Sequence, residues 1–325
     1  MKRAWSLVPL AAAVVALTPW VGLAADHPAA AEAAKPAKKK ILMYSFSQGF
    51  RHSCVTRPLT GEASFAEKAL KEFGEKAGYE ILVSQDANDI NHISNWKHYD
   101  AVIFYTTGIP LYRAIQREGM LEWLRNGGAL IGIHCATDTF HTTFKEDIPT
   151  EGDTKCTAVL PDWPDYVKIM GAAFQTHHKQ AVTAIKIDDP DHPAVKGIIP
   201  QDWKVMDEIY LFHRMNKDAH LLLSADTEKM DEQTLTDLGM KKGDLYPISW
   251  TNTEGKGRVF YTSLGHREDV WTNPIWQKHL INGIAWALKE TDKDKNAKPA
   301  AAGEAAKETV KETAKEAVKK APEKK

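Results

Sequence analysis

The chain has 325 residues, with 42 Lys and Arg against 43 Asp and Glu, a formal net charge of −1, and 43 % apolar residues. That balance leaves no basic stripe with interleaved aromatics, so the electrostatic footprint of a nucleic-acid binder is missing. Three cysteines, Cys54, Cys135 and Cys156, are too few for a disulfide framework.

The first 25 residues read as an export signal. Lys2 and Arg3 are followed by an apolar run from Leu7 to Leu17 and a small-residue cleavage pattern at Gly22-Leu23-Ala24. The run is too short for a spanning helix of about 20 residues, so a soluble protein, periplasmic or extracellular after cleavage, is expected. Export permits one disulfide. Cys135 with Cys156 is the preferred pair, and three buried free thiols are the alternative. Residues 26–38 form a linker, 39–290 a globular α/β domain, and 291–325 a tail of Ala, Lys, Glu, Thr and Pro. The tail buries no core and is expected to be solvated and partly helical.

Strands and helices alternate through the first half of the domain. Lys40–Phe46 reads as a strand. Glu62–Ala77 reads as a helix with Phe65, Ala69 and Phe73 on its inner face, and Gly78 stops it. Strands at Tyr79–Val83 and Asp100–Tyr105 precede a helix over Tyr112–Asn126 with Ile115, Leu121 and Leu124 inward. A strand over Gly128–His134 follows. This rhythm predicts a three-layer αβα fold on a mostly parallel sheet. Residues 139–161, aperiodic and rich in charge, Thr and Pro, read as a long loop or lid. Strands are expected at 181–187, 219–225 and 246–250. The turn Thr253-Glu254-Gly255-Lys256-Gly257 makes a C-terminal hairpin, and a closing helix spans Asn273–Lys289, with Ile275, Ile281, Ile284, Ala285 and Leu288 as its apolar positions.

Two of these strands carry the chemistry. Gly127–Ile133 and Gly257–Leu264 are apolar runs bounded by glycine, and they run into His134-Cys135-Ala136-Thr137-Asp138 and Gly265-His266-Arg267-Glu268. Ligands of open α/β sheets bind at the carboxyl ends of strands. His134 and His266, with Asp138 and Glu268, are therefore the candidate catalytic groups. Imidazoles titrate near neutrality and bind metals, so His134 and His266 are also candidate ligands of a divalent metal such as zinc, although the spacing matches no compact metal motif. Arg51 and His52 after the first strand, His177, and the acidic pair Asp207-Glu208 are candidate substrate-binding residues. Adjacent residues on a strand face opposite ways, so only one of that pair is expected to enter the cleft. Trp163, Trp203, Trp250 and Trp271 offer flat faces for sugar rings, and Trp250 and Trp271 are taken as substrate-binding residues.

The segments Gly49-Phe50-Arg51-His52, Gly128–Phe140, Gly171–His177, Asp191-His192-Pro193, Asp207-Glu208-Ile209-Tyr210, Pro247-Ile248-Ser249-Trp250 and Gly257–His266 resemble the ThuA-like (trehalose utilization) family. The resemblance extends from Lys39 to Leu288. It implies a fold similar to class I glutamine amidotransferases, and a role in the utilization of trehalose-like disaccharides and their 3-keto forms, with a small carbohydrate as partner. Those amidotransferases carry a nucleophilic Cys in Gly-x-Cys-x-Gly. Here Gly132-Ile133-His134 puts histidine there, while Cys135 falls one residue late and on the opposite face. Glutamine hydrolysis is therefore disfavoured. The readings left open are a histidine-based acid/base or metal-assisted sugar enzyme, a non-catalytic carbohydrate-binding module of the envelope, and, behind both, a thiol hydrolase using Cys135.

Overall fold

A computed structural model describes residues 37–92, 94–140, 145–148, 156–159 and 163–293. The expected signal peptide, most of the linker and the tail beyond residue 293 lie outside the described residues, as do parts of the 139–161 segment.

In chain order the elements are β1 (Lys40–Tyr44), α1 (Phe65–Lys76), β2 (Glu80–Ser84), β3 (Ala101–Phe104), α2 (Ala114–Arg125) and β4 (Ala129–Ile133). They continue with β5 (Lys145–Ile148), β6 (Cys156–Val159), α3 (Pro164–Met170), β7 (Ala173–His177), β8 (Ala181–Ile187), β9 (Lys204–Asp207), β10 (Tyr210–His213) and β11 (His220–Ala225). The last are α4 (Glu232–Leu238), β12 (Pro247–Glu254), β13 (Gly257–Thr262), α5 (Glu268–Thr272) and α6 (Pro274–Ala287). The main sheet has nine strands in the order β2-β1-β3-β4-β13-β12-β11-β8-β9. Its first five strands are parallel, and every pairing from β13 to β9 is antiparallel. The expected hairpin is the β12–β13 pair, but it opens a four-strand antiparallel extension larger than the sequence pattern suggested. β7 pairs with β10 in a separate ribbon, and the segment expected to be a loop or lid contains the β5–β6 hairpin.

Local chemistry explains the element ends. Ser64 and Glu67 close a capping box on α1, and Asn273 caps α6 by accepting from the backbone of Ile275 and Trp276, with Pro274 in the first turn. Gly171 ends α3 at φ 101°, where a Cβ would lie 2.2 Å from Nε1 of Trp250, so only glycine fits. The expected inner positions Phe73, Leu121, Leu124 and Ile284 are buried, whereas the first expected position of α1 and of α2 is not. α1 buries Ala66, Leu70 and Phe73 while Phe65 is exposed, α2 buries Met120, Leu121 and Leu124 while Ile115 is exposed, and α6 buries Trp276, Leu280, Ile284 and Ala287. Spacing identifies a stripe, but which of two adjacent stripes meets the sheet depends on how the helix is rolled onto it.

Every residue of β4 is buried, as a strand covered on both faces requires. Apolar residues of α1, α4 and α6 pack in one core cluster, and those of α2 and α3 in another. No described helix is long and apolar enough to cross a membrane.

Candidate active site

The turn after β4 sets the centre of the site. His134 takes φ +47°, a left-handed conformation that costs a non-glycine residue roughly 1–2 kcal/mol. Its carbonyl accepts from the hydroxyls of Tyr261 at 2.7 Å and Thr137 at 3.3 Å, which hold the turn. Its Nδ1 lies 2.7 Å from the Ser263 carbonyl. A carbonyl only accepts, so Nδ1 carries a proton and Nε2 is the nitrogen turned towards the cluster.

His266 arrives from the end of β13. Gly265, at φ +126°, donates its N–H to Oδ2 of Asp207 at 2.7 Å, and Arg267 donates its N–H to Oδ1 at 3.2 Å. The Gly265 carbonyl accepts from Nε1 of Trp271 at 2.8 Å and from the hydroxyl of Tyr105 at 3.2 Å. These bonds also place the end of β9 against the end of β13, so the last strand of the antiparallel half returns to the parallel half. The residue after Asp207, Glu208, thereby enters the site.

His134, His266 and Glu208 meet there. Nδ1 of His266 is 3.2 Å from Nε2 of His134 and 3.2 Å from Oε2 of Glu208, and His134 Nε2 is 3.6 Å from the same oxygen. His52 completes the group from the loop after β1. That loop is pinned by Thr107, whose hydroxyl donates to the carbonyls of Gln48 at 3.1 Å and Phe50 at 3.0 Å. The His52 ring stands edge-on to those of His134 and His266, with centroids at 4.8 and 5.1 Å. One donor atom from each of His52, His134, Glu208 and His266 lies within 4.8 Å of the others, the grouping able to hold a metal. His177, half exposed at the end of β7, places Nδ1 3.1 Å from the other oxygen, Oε1, of Glu208. Two residues the sequence did not single out complete the surroundings. Tyr210 packs on His134 at 4.1 Å between centroids, and exposed Phe50 stands against His52 at 4.9 Å. Both fall in segments that carry the family resemblance, which was the available signal.

The charges follow from burial and neighbours. Burial would raise the Glu208 carboxyl, but His134 and His266 hold it well below the ordinary carboxylate range. Burial lowers the His266 imidazole, and Glu208 more than offsets this, so it stays protonated to higher pH. Burial, reinforced by His134 and His266, pushes His52 down to about 2 and keeps it neutral.

Other candidates lie elsewhere. Arg51 is exposed and donates to Gln85 at 3.0 Å, and Glu268 accepts from the Ser53 hydroxyl at 2.6 Å. Asp138 is buried one turn past His134 and is not part of the four-residue cluster. Asp207, its carboxyl raised by burial, braces the His266 loop instead of facing ligand. The tryptophans are corrected. Trp250 and Trp271 are fully buried, their indole N–H groups donate to the carbonyls of Met170 and Gly265, and Trp163 and Trp203 are buried too, so no ring face is open to a sugar. The expected Cys135–Cys156 bridge is also corrected. Cys135 is a fully buried free thiol among core residues, as is Cys54. Burial pushes Cys54 up to about 12 and Cys135 well above its ordinary value, which removes the thiolate a nucleophile needs.

A sheet with helices on both faces and imidazoles over the carboxyl ends of its parallel strands defines a three-layer αβα, flavodoxin-like protein with a histidine–carboxylate centre in place of a thiol. The chain belongs to the ThuA family, whose sequence profile, described as trehalose utilisation, matches residues 40–287. In structure it is similar to a ThuA-like protein from Bacteroides uniformis (TM-score 0.57, 20 % identity, covering 80 % of this chain and 95 % of that one). It is also similar to one from Parabacteroides merdae (TM-score 0.55, 18 % identity, covering 78 % and 91 %). At such identities the likeness shows the fold alone. No protein of curated function matches the chain.

Proposed function

We propose that this protein is exported and acts on a small carbohydrate of the trehalose-like class or its 3-keto form, with His134 and His266 as its acid/base pair. One observation carries the reading: two imidazoles and an ionised carboxylate lie within 3.6 Å of one another. His266, 18 % exposed at the side chain and held protonated by Glu208, exchanges a proton with the leaving or enolising oxygen, and buried His134, 3.2 Å behind it, relays that proton. Neutral His52 orients the substrate without adding charge. Phe50, 62 % exposed beside His52, supplies the ring platform that the buried tryptophans do not. Glu208 is the carboxylate of the cluster, which fits acid/base work on hydroxyl and carbonyl groups better than a glycosidase mechanism with two acids flanking one bond.

The test is conversion of trehalose and 3-ketotrehalose by wild type and by His134→Ala, alongside circular dichroism. Loss of at least about 100-fold in turnover with native ellipticity is expected. Undiminished turnover by the variant would remove the site assignment. Tight sugar binding without conversion by wild type would mark a binding module. Export is checked by the N-terminus of the protein recovered from the periplasm or medium, which should start near Asp26.

A further inference from the structure

We propose that His52, His134, His266 and Glu208 together ligate one divalent first-row transition-metal ion. Two donors bonded at about 2.1 Å and 90–110° apart lie roughly 3.0–3.4 Å from each other. The triangle of His134 Nε2, His266 Nδ1 and Glu208 Oε2 has edges of 3.2, 3.2 and 3.6 Å, close to that size before any ion draws the donors in. His52 supplies a fourth donor within 4.8 Å of all three. Its Nδ1 is buried and finds no hydrogen-bond partner among the described residues, an orphan of the kind that a bound ion or its water satisfies.

The surroundings are those of ligands held for a metal. The Ser263 carbonyl fixes the tautomer of His134 so that Nε2 faces the cluster. His177 contacts Oε1 of Glu208, leaving Oε2 turned towards His134 and His266, and Asp207 clamps the backbone on both sides of His266. Such orienting contacts typically change metal affinity 10–100-fold when removed. Three imidazoles with one carboxylate favour zinc, iron, cobalt, nickel or copper over magnesium and calcium, which take oxygen donors. His134 is sealed off, while His266 is 18 % and His177 45 % exposed at the side chain. Any further ligand would therefore reach the ion from the rim, where His266 and His177 stand. A pair of adjacent sugar oxygens binding there rests on the carbohydrate reading above, but the ion itself does not.

The experiment takes the full chain, strips it with EDTA, and titrates it separately with Zn²⁺ and Co²⁺ by calorimetry, following visible Co²⁺ absorption and metal content by mass spectrometry. One equivalent is expected, with Co²⁺ bands of a nitrogen–oxygen site. Affinity should fall at least about 100-fold in His134→Ala and in the near-isosteric Glu208→Gln, and about 10–100-fold in His177→Ala. Circular dichroism identifies any variant that fails to fold, and Glu208→Gln then decides. No stoichiometric uptake by wild type, or uptake undiminished in folded His134→Ala and Glu208→Gln, overturns the proposal. Sugar conversion by a protein that takes up no metal would sink this inference and keep the acid/base reading. Metal uptake without sugar conversion would do the reverse.

Discussion

Two regions of the molecule bury imidazoles, and they use them in opposite ways. On α6, His279 is fully buried and both nitrogens are occupied: Nδ1 donates to the Ala194 carbonyl at 2.8 Å, and Nε2 meets the Ser249 hydroxyl at 3.0 Å. At the carboxyl edge of the sheet, His134 has one nitrogen bonded to a carbonyl and turns the other towards His266 and Glu208, while Nδ1 of His52 has no partner among the described residues. Burial alone therefore says nothing about function. An imidazole whose hydrogen bonds close on the fold is a brace, and several whose nitrogens converge on one carboxylate form a site.

This contrast breaks most sharply if the two roles can be exchanged by mutation. His134→Ala is expected to lose turnover per folded molecule by about 10²–10⁴-fold. His279→Ala should do the opposite. It leaves the Ala194 carbonyl without the imidazole donor and opens a cavity, costing about 2–4 kcal/mol in urea unfolding, with turnover per folded molecule retained. If His279→Ala lost activity but no stability, the distinction would collapse.

A pH series sharpens the same contrast. Burial pushes His279 down to about 4, below its ordinary 6.5. Between those values the unfolded chain binds a proton that the folded protein refuses, so stability falls as pH falls through this window. From pH 7 to 5 the contribution is about 2 kcal/mol, from one pKa unit being about 1.4 kcal/mol. Urea midpoints of wild type and His279→Asn at both pH values measure it, and equal slopes would refute it.

The smallest effect belongs to Phe50. Phe50→Ala should weaken carbohydrate binding by about 5–10-fold in calorimetry, the value of one ring contact, and leave the melting temperature unchanged because the side chain is already exposed. A stability loss instead would make Phe50 a packing residue.

Much of the fold was legible along the chain, for reasons that are local. β4 and β13 are apolar runs with glycine at their starts, and a strand buried on both faces needs nothing more to be seen. β8 matches its expected bounds, and Asn273-Pro274 marks the start of α6 through capping chemistry. β7, β9 and β10 were not anticipated. β9 alternates buried with exposed over only four residues, too short a window to separate from a loop, and β10 shows no alternation at all. The tryptophans misled because composition cannot say which side of an aromatic ring the core covers.

By itself, the order of residues determined that imidazoles stand at the ends of two central strands, because backbone alternation and the glycine bounds are properties of neighbours in the chain. It also determined that one of Asp207 and Glu208 turns towards the cleft, without saying which. Only the tertiary structure decided that Glu208 faces the histidines while Asp207 braces the loop of His266, and that His52 joins them. Those outcomes depend on the antiparallel half returning its last strand to the end of β13, a long-range closure that no local pattern encodes.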